Sequence, residues 1–556
     1  MGIFENNRGT QLEGENSIPM QGNPPQQEEK IISDAPDGHE YPSGIKLFLI
    51  MASIFVAMFL VALDKLIIST VTSSISDQFH ALDEVGWYGT AYLLTNAAFL
   101  LVFGKIYTYF NGKTVFLCVV VIFEIGSTLC GAAPNSIAFI IGRAIAGLGA
   151  AGIQQGGFML LVYAVPLAKR AQYQGLFGAV YGISSVIGPL LGGAFASNIT
   201  WRWAFYINLP FGGMVLLFIH FFLKVPSSPV YDSSSWKHKI RQLNFEGLAA
   251  LLPGVICLCL ALQWGGFTYK WSDGRIIALL TIAVALLIAF VLVQIWMPET
   301  ATVPPRIFIQ RSIFAGFSVS ALLGSHMTLI VYFLPIWFQT VKSVSAVRSG
   351  INLLPLVVAL TIAAIVTGVA TTMTGYYTPF LIIGACIASV GAGLLTILKV
   401  DTPTAQWIGF QIVYGFGLGS CFQAPNMAAQ TVLPRKDVSV GVSLMLFSQT
   451  LGSSIFVSVG QNVLDQHLAS LLASISGLDL TPEQIQSGGI TGIFDIIPPR
   501  FHTAVLEAYN SSLRICFVVA LILTCLSVAC SLGMEWRSVK NGSEKREEAP
   551  SSSVAE

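Results

Sequence analysis

The sequence predicts an all-α polytopic membrane protein with about fourteen transmembrane helices. The mean hydropathy is +0.70. Of the 556 residues, 54% are hydrophobic and only 10% are charged, whereas soluble domains contain about 25% charged residues. Apolar segments of about 20 residues, the length that crosses a bilayer as a helix, recur along the chain. Together these observations exclude a soluble domain.

The predicted elements follow in chain order. Residues 1–43 are polar and lack the apolar core of a signal peptide, so we expect a disordered cytosolic tail. The basic segment 224–243 is a linker after the sixth span, 463–512 is a long polar loop on the outside, and 534–556 is a second cytosolic tail. The expected spans are 45–68, 86–107, 114–133, 137–163, 172–197, 203–223, 244–263, 275–297, 312–338, 348–371, 378–398, 406–426, 438–462 and 513–533.

The distribution of charge supports an even number of spans with both termini in the cytosol. Most of the 29 Lys and Arg residues then lie in cytosolic segments, as the positive-inside rule requires. The formal net charge is zero, so nothing attracts nucleic acid. The nine cysteines lack the spacing of a metal or redox motif. No Walker A sequence occurs, and neither a cofactor nor ATP is expected.

Two residues of opposite charge lie at similar depth in the predicted membrane. Asp64 is near the outer end of the first span, and Arg143 lies about two turns into the fourth. Charges at this depth are costly and persist where they pair or face a polar cavity. A pair that breaks when Asp64 is protonated would be a proton switch, and the alternative is a static pair that fixes helix packing. Lys65 is a second candidate partner for Asp64, or it extends toward the membrane surface.

Other polar residues interrupt the apolar spans. Glu124 is either a proton or substrate site or a helix–helix hydrogen bond. His326 is of a type that titrates near neutral pH, although a buried His with satisfied hydrogen bonds is the commoner case. The candidate cavity-lining residues, which packing hydrogen bonds explain equally well, are Asn96, Gln154, Gln155, His326 and Gln423.

Two glycine-rich segments have different interpretations. Residues 147–152 match GxGxxG, but they continue a membrane helix and follow no strand, so we expect a helix-packing surface. In the fifth span, Pro189 removes a helix hydrogen bond, and the glycines around it allow bending and close packing. A bent helix suits a gate, and a passive kink is the alternative. The glycines of this candidate gate are Gly182, Gly188, Gly192 and Gly193.

Two sequons lie in predicted outside segments, at Asn198 and Asn510. Both are candidate N-glycosylation sites. Asn198 is close to the membrane and Asn510 borders the last span, and such positions hinder modification.

A set of motifs resembles the major facilitator superfamily, in particular its fourteen-span drug:proton antiporters. The chain is most similar to fungal efflux pumps of toxin gene clusters, such as those for HC-toxin, aflatoxin and gliotoxin. The resemblance implies two six-helix bundles, 44–225 and 301–533, with two extra helices in 226–300 and a substrate site between the bundles. The motifs are ALDKLIIST, LDEVGWYGTAYLLTNAAF, GKIYTYFNGK, NSIAFIIGRAIAGLGAAG, YGISSVIGPLLGGAF, WRWAFYINLPFG and LALQWGG.

The resemblance also implies a function. In that family the segment around Pro189 is the antiporter signature, and the Arg at position 143 is implicated in proton transfer. We therefore expect a monomeric exporter of a hydrophobic small molecule (a secondary metabolite, mycotoxin or drug) that is driven by the proton gradient. The plasma membrane is the expected location, with a vacuolar or vesicle membrane as the alternative. Thr108 and Gly112 replace the family's Asp and Arg in its cytosolic loop motif, so this gate is expected to lack part of its usual charge network.

Alternatives from other classes remain open. A vacuolar basic amino-acid transporter or a siderophore transporter would share this topology. A membrane receptor or sensor would need large cytosolic domains, and both tails are short. An enzyme would need a nucleophile or metal cluster, and the sequence indicates none.

Overall fold

The computed structural model shows a protein built from membrane-length α-helices. In lipid, a spanning segment must satisfy its backbone polar groups internally, which a helix does. Within the described residues, the bridges Gly265–Tyr269 and Tyr376–Ser538 are the only β-type pairings, so the all-α prediction is confirmed. The structure describes residues 41–81, 84–223, 236–266, 269–475 and 498–540.

The helices follow the order of the predicted spans. By length and composition, thirteen helical segments of the described residues can cross a membrane. The helices are α1 (Gly44–Phe79), α2 (Val85–Tyr109), α3 (Gly112–Ala132), α4 (Ser136–Ala164), α5 (Leu167–Asn198), α6 (Trp203–Tyr206), α7 (Asn208–Phe222), α8 (Trp236–Arg241), α9 (Phe245–Trp264), α10 (Gly274–Trp296), α11 (Pro305–Phe308), α12 (Arg311–Thr340), α13 (Ala346–Asn352), α14 (Leu354–Thr374), α15 (Thr378–Leu395), α16 (Thr404–Cys421), α17 (Ala424–Val432), α18 (Val438–Ala473) and α19 (His502–Ser531).

The predicted span at 406–426 differs from the others. The chain forms α16, breaks at Phe422 and Gln423, and continues as the short α17. Gln406 and Gln411 make α16 less apolar than its neighbours, and it is not among the thirteen segments. It still packs between α14 and α15, where it completes the second set of six.

Several helices extend beyond the apolar segments. The predicted loop 463–512 is helical at both ends, because α18 and α19 continue into it. Leu468 and Leu472, one turn apart, pack on Val505 and Tyr509 there. A hydropathy window detects only the part of a helix that is apolar on all sides, so it misses an amphipathic extension. The middle of this connection, 476–497, lies outside the described residues.

The predicted tails and basic linker lie mostly outside the described residues. The first described residues of the C-terminal segment pack on the turn between α14 and α15. Val539 N donates to Gly375 O at 2.8 Å, and Thr378 Oγ1 donates to Glu535 O at 3.0 Å. The segments outside the description are 1–40, 224–235 and 541–556.

The helices form two bundles and an additional pair. Helices α1 to α7 pack together, and so do α12 to α19. The bundles meet where α2 contacts α18 and where α5 contacts α14. Helices α9 and α10 pack on each other, and α9 contacts both α2 and α18. This is the arrangement of two six-helix bundles with two extra helices that the sequence predicts.

Glycines allow the helix backbones to touch at these contacts. A Cβ atom at Gly149 would lie 2.6 Å from Phe123 N, and one at Gly147 would overlap Tyr92 O. In membranes, where lipid is as apolar as the helix surface, close packing of small residues supplies much of the association energy. The GxGxxG match is therefore the surface of α4 that packs on α2 and α3.

We expect Gly149→Val to destabilise the protein by about 1–3 kcal/mol, since overpacking a tight contact forces neighbours apart. Thermal unfolding of the purified protein measures this effect. Gly213→Val is the matched control, because a Cβ atom there has no neighbour within 4 Å. Equal melting temperatures for the two variants would contradict the assignment of this surface.

Candidate functional site

A cavity of about 270 Å³ lies between the two bundles. Helices α1, α2, α4 and α5 line it on one side, and α12, α17, α18 and the α16–α17 break line it on the other. The extra helix α9 completes the wall through Cys259 and Gln263. Six amide side chains reach the cavity, namely Asn96, Gln154, Gln263, Gln423, Asn426 and Gln449.

Three of the predicted cavity residues, Asn96, Gln154 and Gln423, line the cavity. The prediction is wrong for Gln155, whose Nε2 donates to Ser439 O at 2.8 Å. Successive residues of a helix point about 100° apart, so Gln154 faces the cavity while Gln155 faces α18.

The cavity prediction is also wrong for His326. This side chain is fully buried inside the second bundle. Its Nδ1 lies 2.7 Å from the Tyr414 hydroxyl oxygen. His326 therefore links α12 to α16 through Nδ1, while its Nε2 has no hydrogen-bond partner among the described residues.

A buried ion pair lies behind the cavity wall. Arg143 Nη1 donates to Asp64 Oδ2 at 2.6 Å, and the side chains are 1% and 0% exposed. Arg143 Nε also donates to Tyr88 O at 2.9 Å, and its guanidinium carbon lies 4.5 Å from the Tyr92 ring centroid. The guanidinium thus connects α1, α2 and α4. Asp64 Oδ1, by contrast, has no hydrogen-bond partner among the described residues.

Neighbouring residues of α1 face opposite surroundings. Asp64 points to Arg143, while Lys65 lines the cavity together with Val61 and Ala62. Lys65 is half-buried and does not pair with Asp64. One helix therefore connects the ion pair to the cavity.

Glu124 lies in a second buried polar cluster, between α3 and α7. Its carboxylate packs on Gly212, where a Cβ atom would overlap Oε1. Neither carboxylate oxygen has a hydrogen-bond partner among the described residues. One turn along both helices, Asn208 Nδ2 donates to Ser127 Oγ at 3.1 Å. The described residues thus give Glu124 no helix–helix hydrogen bond, and it does not line the cavity.

The candidate gate segment of α5 contacts both bundles. The helix is continuous through Pro189. Gly182 faces Thr361 of α14, while Gly188 and Gly192 face α1. A Cβ atom at Gly193 would have no neighbour within 4 Å, so that glycine packs on nothing described.

The bundles touch at the face where α1 begins and α19 ends (the tail face). Ser439 Oγ donates to Gly104 O at 2.7 Å, and Gln155 also bonds Ser439. Gly104 has no room for a side chain, because Ser443 lies against it. The cavity lies on the other side of this contact and extends toward Thr90 and Ser458, nearer the opposite face.

Charged side chains lie around this closure, but none of them takes the place of the Asp and Arg that the cytosolic loop motif lacks. Arg306 donates to both carboxylate oxygens of Asp437 at 2.7 and 2.8 Å, and these hydrogen bonds raise the pKa of Arg306 above its usual value. Lys105 Nζ donates to Thr300 O at 3.3 Å. Thr108, at the position of the family's Asp, only bonds its own helix. The hydrogen bonds by which α2 and α4 close on α18 are therefore made by neutral groups, while the Arg435 guanidinium, just before α18, lies over the Tyr163 ring of α4 at 5.6 Å.

The loop between the extra helices contacts both bundles at the opposite face. Trp264 packs edge-on against Trp87 of α2 at 5.9 Å between ring centroids. Trp271 Nε1 donates to Asn462 Oδ1 of α18 at 2.6 Å. The additional pair therefore connects the two bundles as well as lining the cavity.

The two sequons differ in accessibility. Asn198 is exposed at the end of α5, and its modification stays a prediction. Asn510 is 7% exposed inside α19, where it accepts from Trp337 Nε1 at 2.8 Å and donates to Leu398 O at 3.3 Å. The Asn510 prediction is wrong, because the nitrogen that would carry a glycan is buried and bonded.

The sequence interpretation missed one wall of the cavity. A polar stripe on α18 supplies Gln449, Thr450, Ser453, Ser454 and Ser458. These residues recur at helical spacing within an apolar segment, so the signal is present in the sequence.

A model of the Major Facilitator Superfamily matches residues 54–457. The chain belongs to the major facilitator superfamily. As a member, it is a multi-pass membrane transporter, and its relatives are transporters rather than enzymes.

Among its superfamily relatives, an MFS-type transporter of Claviceps purpurea is 48% identical over 92% of this chain and 90% of its own length. The efflux pump aflT of Aspergillus parasiticus is 45% identical over 92% and 99%. The rubrofusarin-specific efflux pump aurT of Gibberella zeae is 47% identical over 91% and 92%. The resemblance to fungal efflux pumps is therefore confirmed.

Solved superfamily structures share the fold. The proton:xylose symporter XylE has a TM-score of 0.56 at 14% identity, covering 89% of this chain and 98% of its own. A bacterial homologue of the lysosomal transporter Spinster, in an inward-facing form, has a TM-score of 0.54 at 15% identity over 89% and 98%. At these identities the likeness concerns the fold alone.

We expect Arg143→Gln to destabilise the transporter by about 3–5 kcal/mol, because it leaves the Asp64 carboxylate buried without its partner. The double variant Asp64→Asn, Arg143→Gln should be more stable than Arg143→Gln alone. Thermal unfolding of the wild type, both single variants and the double variant gives the coupling energy. Additive effects would show that the two side chains do not interact.

Proposed function

We propose that this transporter exports a hydrophobic small molecule in exchange for protons, by alternating access. The observation that carries the proposal is the buried Asp64–Arg143 pair on the back of the cavity wall. An ion pair at membrane depth is costly unless it is satisfied, and this one adjoins the surface that would contact substrate. Two consecutive residues of α1 would then have different roles: Asp64 would take up the proton, and Lys65 would face the substrate.

The coupling step is a change in one charge. Protonation of Asp64 would remove its attraction for Arg143, which would keep its bond to Tyr88 O and its contact with the Tyr92 ring. Helix α1 would then be held less tightly to α4, and its cavity face could move. Glu124, which has no partner among the described residues, is proposed as a second proton site.

Alternating access is supported by the asymmetry of the cavity. The bundles touch at the tail face, and the cavity extends toward the other face. If the tail face is cytosolic, this arrangement is the one that releases substrate outside. Gly182 of α5 packs on Thr361 of α14 across the bundle interface, while Gly188 and Gly192 pack on α1 within the first bundle. We propose that this close packing lets α5 shift against both helices as the bundles rock.

The substrate class is supported by the cavity walls and the relatives. Apolar and aromatic side chains alternate with amides and hydroxyls, which suits a small molecule that is both apolar and oxygenated. Relatives named as efflux pumps include one specific for rubrofusarin, and we propose a secondary metabolite as the cargo. The plasma membrane, a monomeric state and the domain limits 44–225, 226–300 and 301–533 stay predictions.

In proteoliposomes, an imposed pH gradient is expected to drive uptake of a neutral aromatic fluorescent dye of the coumarin class. Asp64→Asn and Arg143→Ala should each lower this rate by about tenfold or more, since each removes one member of the proposed switch. Asp77→Asn is the matched control, because this exposed Asp lies on the same helix outside the pair. Wild-type rates in both pair variants would refute the proton switch.

Gly104→Val is expected to open the tail face, since its side chain would collide with Ser443. Pulsed electron paramagnetic resonance measures the distance between spin labels at Lys169 and Lys436, two exposed positions on different bundles. A longer distance than in the wild type is expected. Gly89→Val on the same helix has open space around it and should change nothing. An unchanged distance in Gly104→Val would rule out this contact as the gate.

A further inference from the structure

We propose that the cavity recognises substrates carrying an acidic group (a carboxylate, phenolate or enolate) on an aromatic framework, and that Lys65 binds this group. The inference rests on the proposed function, because it names the substrate class of the same cavity. It follows from three features of the cavity: the sign of its charge, the state of Lys65, and the composition of the walls around it.

The cavity carries charge of one sign. Lys65 is the only Lys, Arg or His among the described residues that line it, and these residues include no Asp or Glu. The nearest acid in the chain, Asp64, faces away and is neutralised by Arg143. A cationic substrate would therefore meet a positive charge without a counter-ion. An anionic substrate would find one in a site of reduced dielectric, where the attraction is stronger than in water.

Lys65 is free to bind a ligand. Within the described part of the chain, its ammonium forms neither an ion pair nor a hydrogen bond. A lysine at membrane depth is rarely left so, since an uncompensated charge is costly there. Water that enters the cavity would satisfy the ammonium in the absence of substrate. A substrate anion can replace that water with a charge-assisted hydrogen bond.

The walls around Lys65 suit an aromatic, oxygenated body. Tyr181 and Phe422, from opposite bundles, lie 6.4 Å apart between ring centroids at 36°. Phe158 and Phe177 also line the cavity, where they pack edge-to-face at 5.1 Å and are each 3% exposed, so they support the wall from behind. Flat aromatic ligands gain from stacking on such rings. On the polar stripe of α18, the Gln449 amide can donate to a substrate oxygen atom. The hydroxyls of Thr450 and Ser454 donate to carbonyls of their own helix, so they can accept from a substrate hydroxyl group.

The features divide the recognition among different parts of the cavity. Lys65 binds the acidic group of the substrate, and the aromatic rings stack on its framework. Side chains of α18 form hydrogen bonds with the other oxygen atoms of the substrate. This arrangement does not suit a basic amino-acid transporter, the alternative function considered above, because its cationic cargo needs a carboxylate in the cavity wall.

The test uses two dyes that share a xanthene framework and differ in charge: fluorescein, which is anionic, and rhodamine 123, which is cationic. Fluorescence anisotropy measures their binding to the full-length protein in lipid nanodiscs at one pH. The wild type is expected to bind fluorescein more tightly than rhodamine 123. Lys65→Gln should weaken fluorescein binding by about tenfold or more, while Lys65→Arg should retain it.

Lys270→Gln is the matched control, because it removes one exposed positive charge outside the cavity. It should leave the affinity for fluorescein unchanged. Variants are compared only after size-exclusion chromatography shows a folded monodisperse protein, and Lys65→Arg keeps the test decisive if Lys65→Gln does not fold. Failure of the wild type to bind fluorescein, tighter binding of rhodamine 123, or equal fluorescein affinity in Lys65→Gln would overturn the proposal.

Binding without a pH gradient keeps this inference distinct from proton coupling. If fluorescein binding depends on Lys65 but no pH gradient drives transport, the proposed function fails and the ligand class stands. If a gradient drives transport of the neutral coumarin dye and fluorescein affinity is the same in the wild type and Lys65→Gln, the proposed function stands and the ligand class fails.

Discussion

Because hydrocarbon does not solvate charge, each ionised group inside this bundle must find a partner or reach water. Asp64 and Arg143 solve this by pairing, and the guanidinium needs two further contacts on α2 to be satisfied. The pair thus fixes the rotation of α1, α2 and α4 about their own axes. With α1 so oriented, Lys65 faces the cavity.

The same constraint explains why the proposed proton site and the proposed cargo site are adjacent without overlapping. A group that must change charge during the cycle benefits from burial, since burial makes each protonation state depend on its partner. A group that binds cargo must be open to it. Asp64 and Lys65 meet these opposite requirements from neighbouring positions, because a helix turns by about 100° per residue. Movement of α1 then affects both at once.

The sequence predicted the fold well and the side-chain directions poorly, for one physical reason. Hydropathy locates a span, and depth alone brought Asp64 and Arg143 to the same level. Hydropathy does not indicate how a helix is rotated about its axis when the lipid-facing and packed sides are equally apolar. The predictions that Gln155 and His326 line the cavity are wrong for this reason. Where a helix has a polar face, the sequence does indicate its rotation about the axis. The polar stripe on α18, which the sequence interpretation missed, is an example. The break at Gln423 lies where α16 loses apolar character.

The neutral closure at the tail face has an energetic consequence for the proposed cycle. Removing one partner of a buried ion pair, so that the other charge stays buried alone, costs about 3–5 kcal/mol, whereas a neutral hydrogen bond contributes about 0.5–1.5 kcal/mol. One proton crossing a potential of 100 mV supplies about 2.3 kcal/mol. Together, the hydrogen bonds that join Ser439 to Gly104 and Gln155 contribute about as much free energy as one proton supplies. Once these bonds are broken, their donors and acceptors would reach water. In the proposed cycle, with Thr108 in place of the family's Asp, opening this gate would break hydrogen bonds between neutral groups rather than an ion pair.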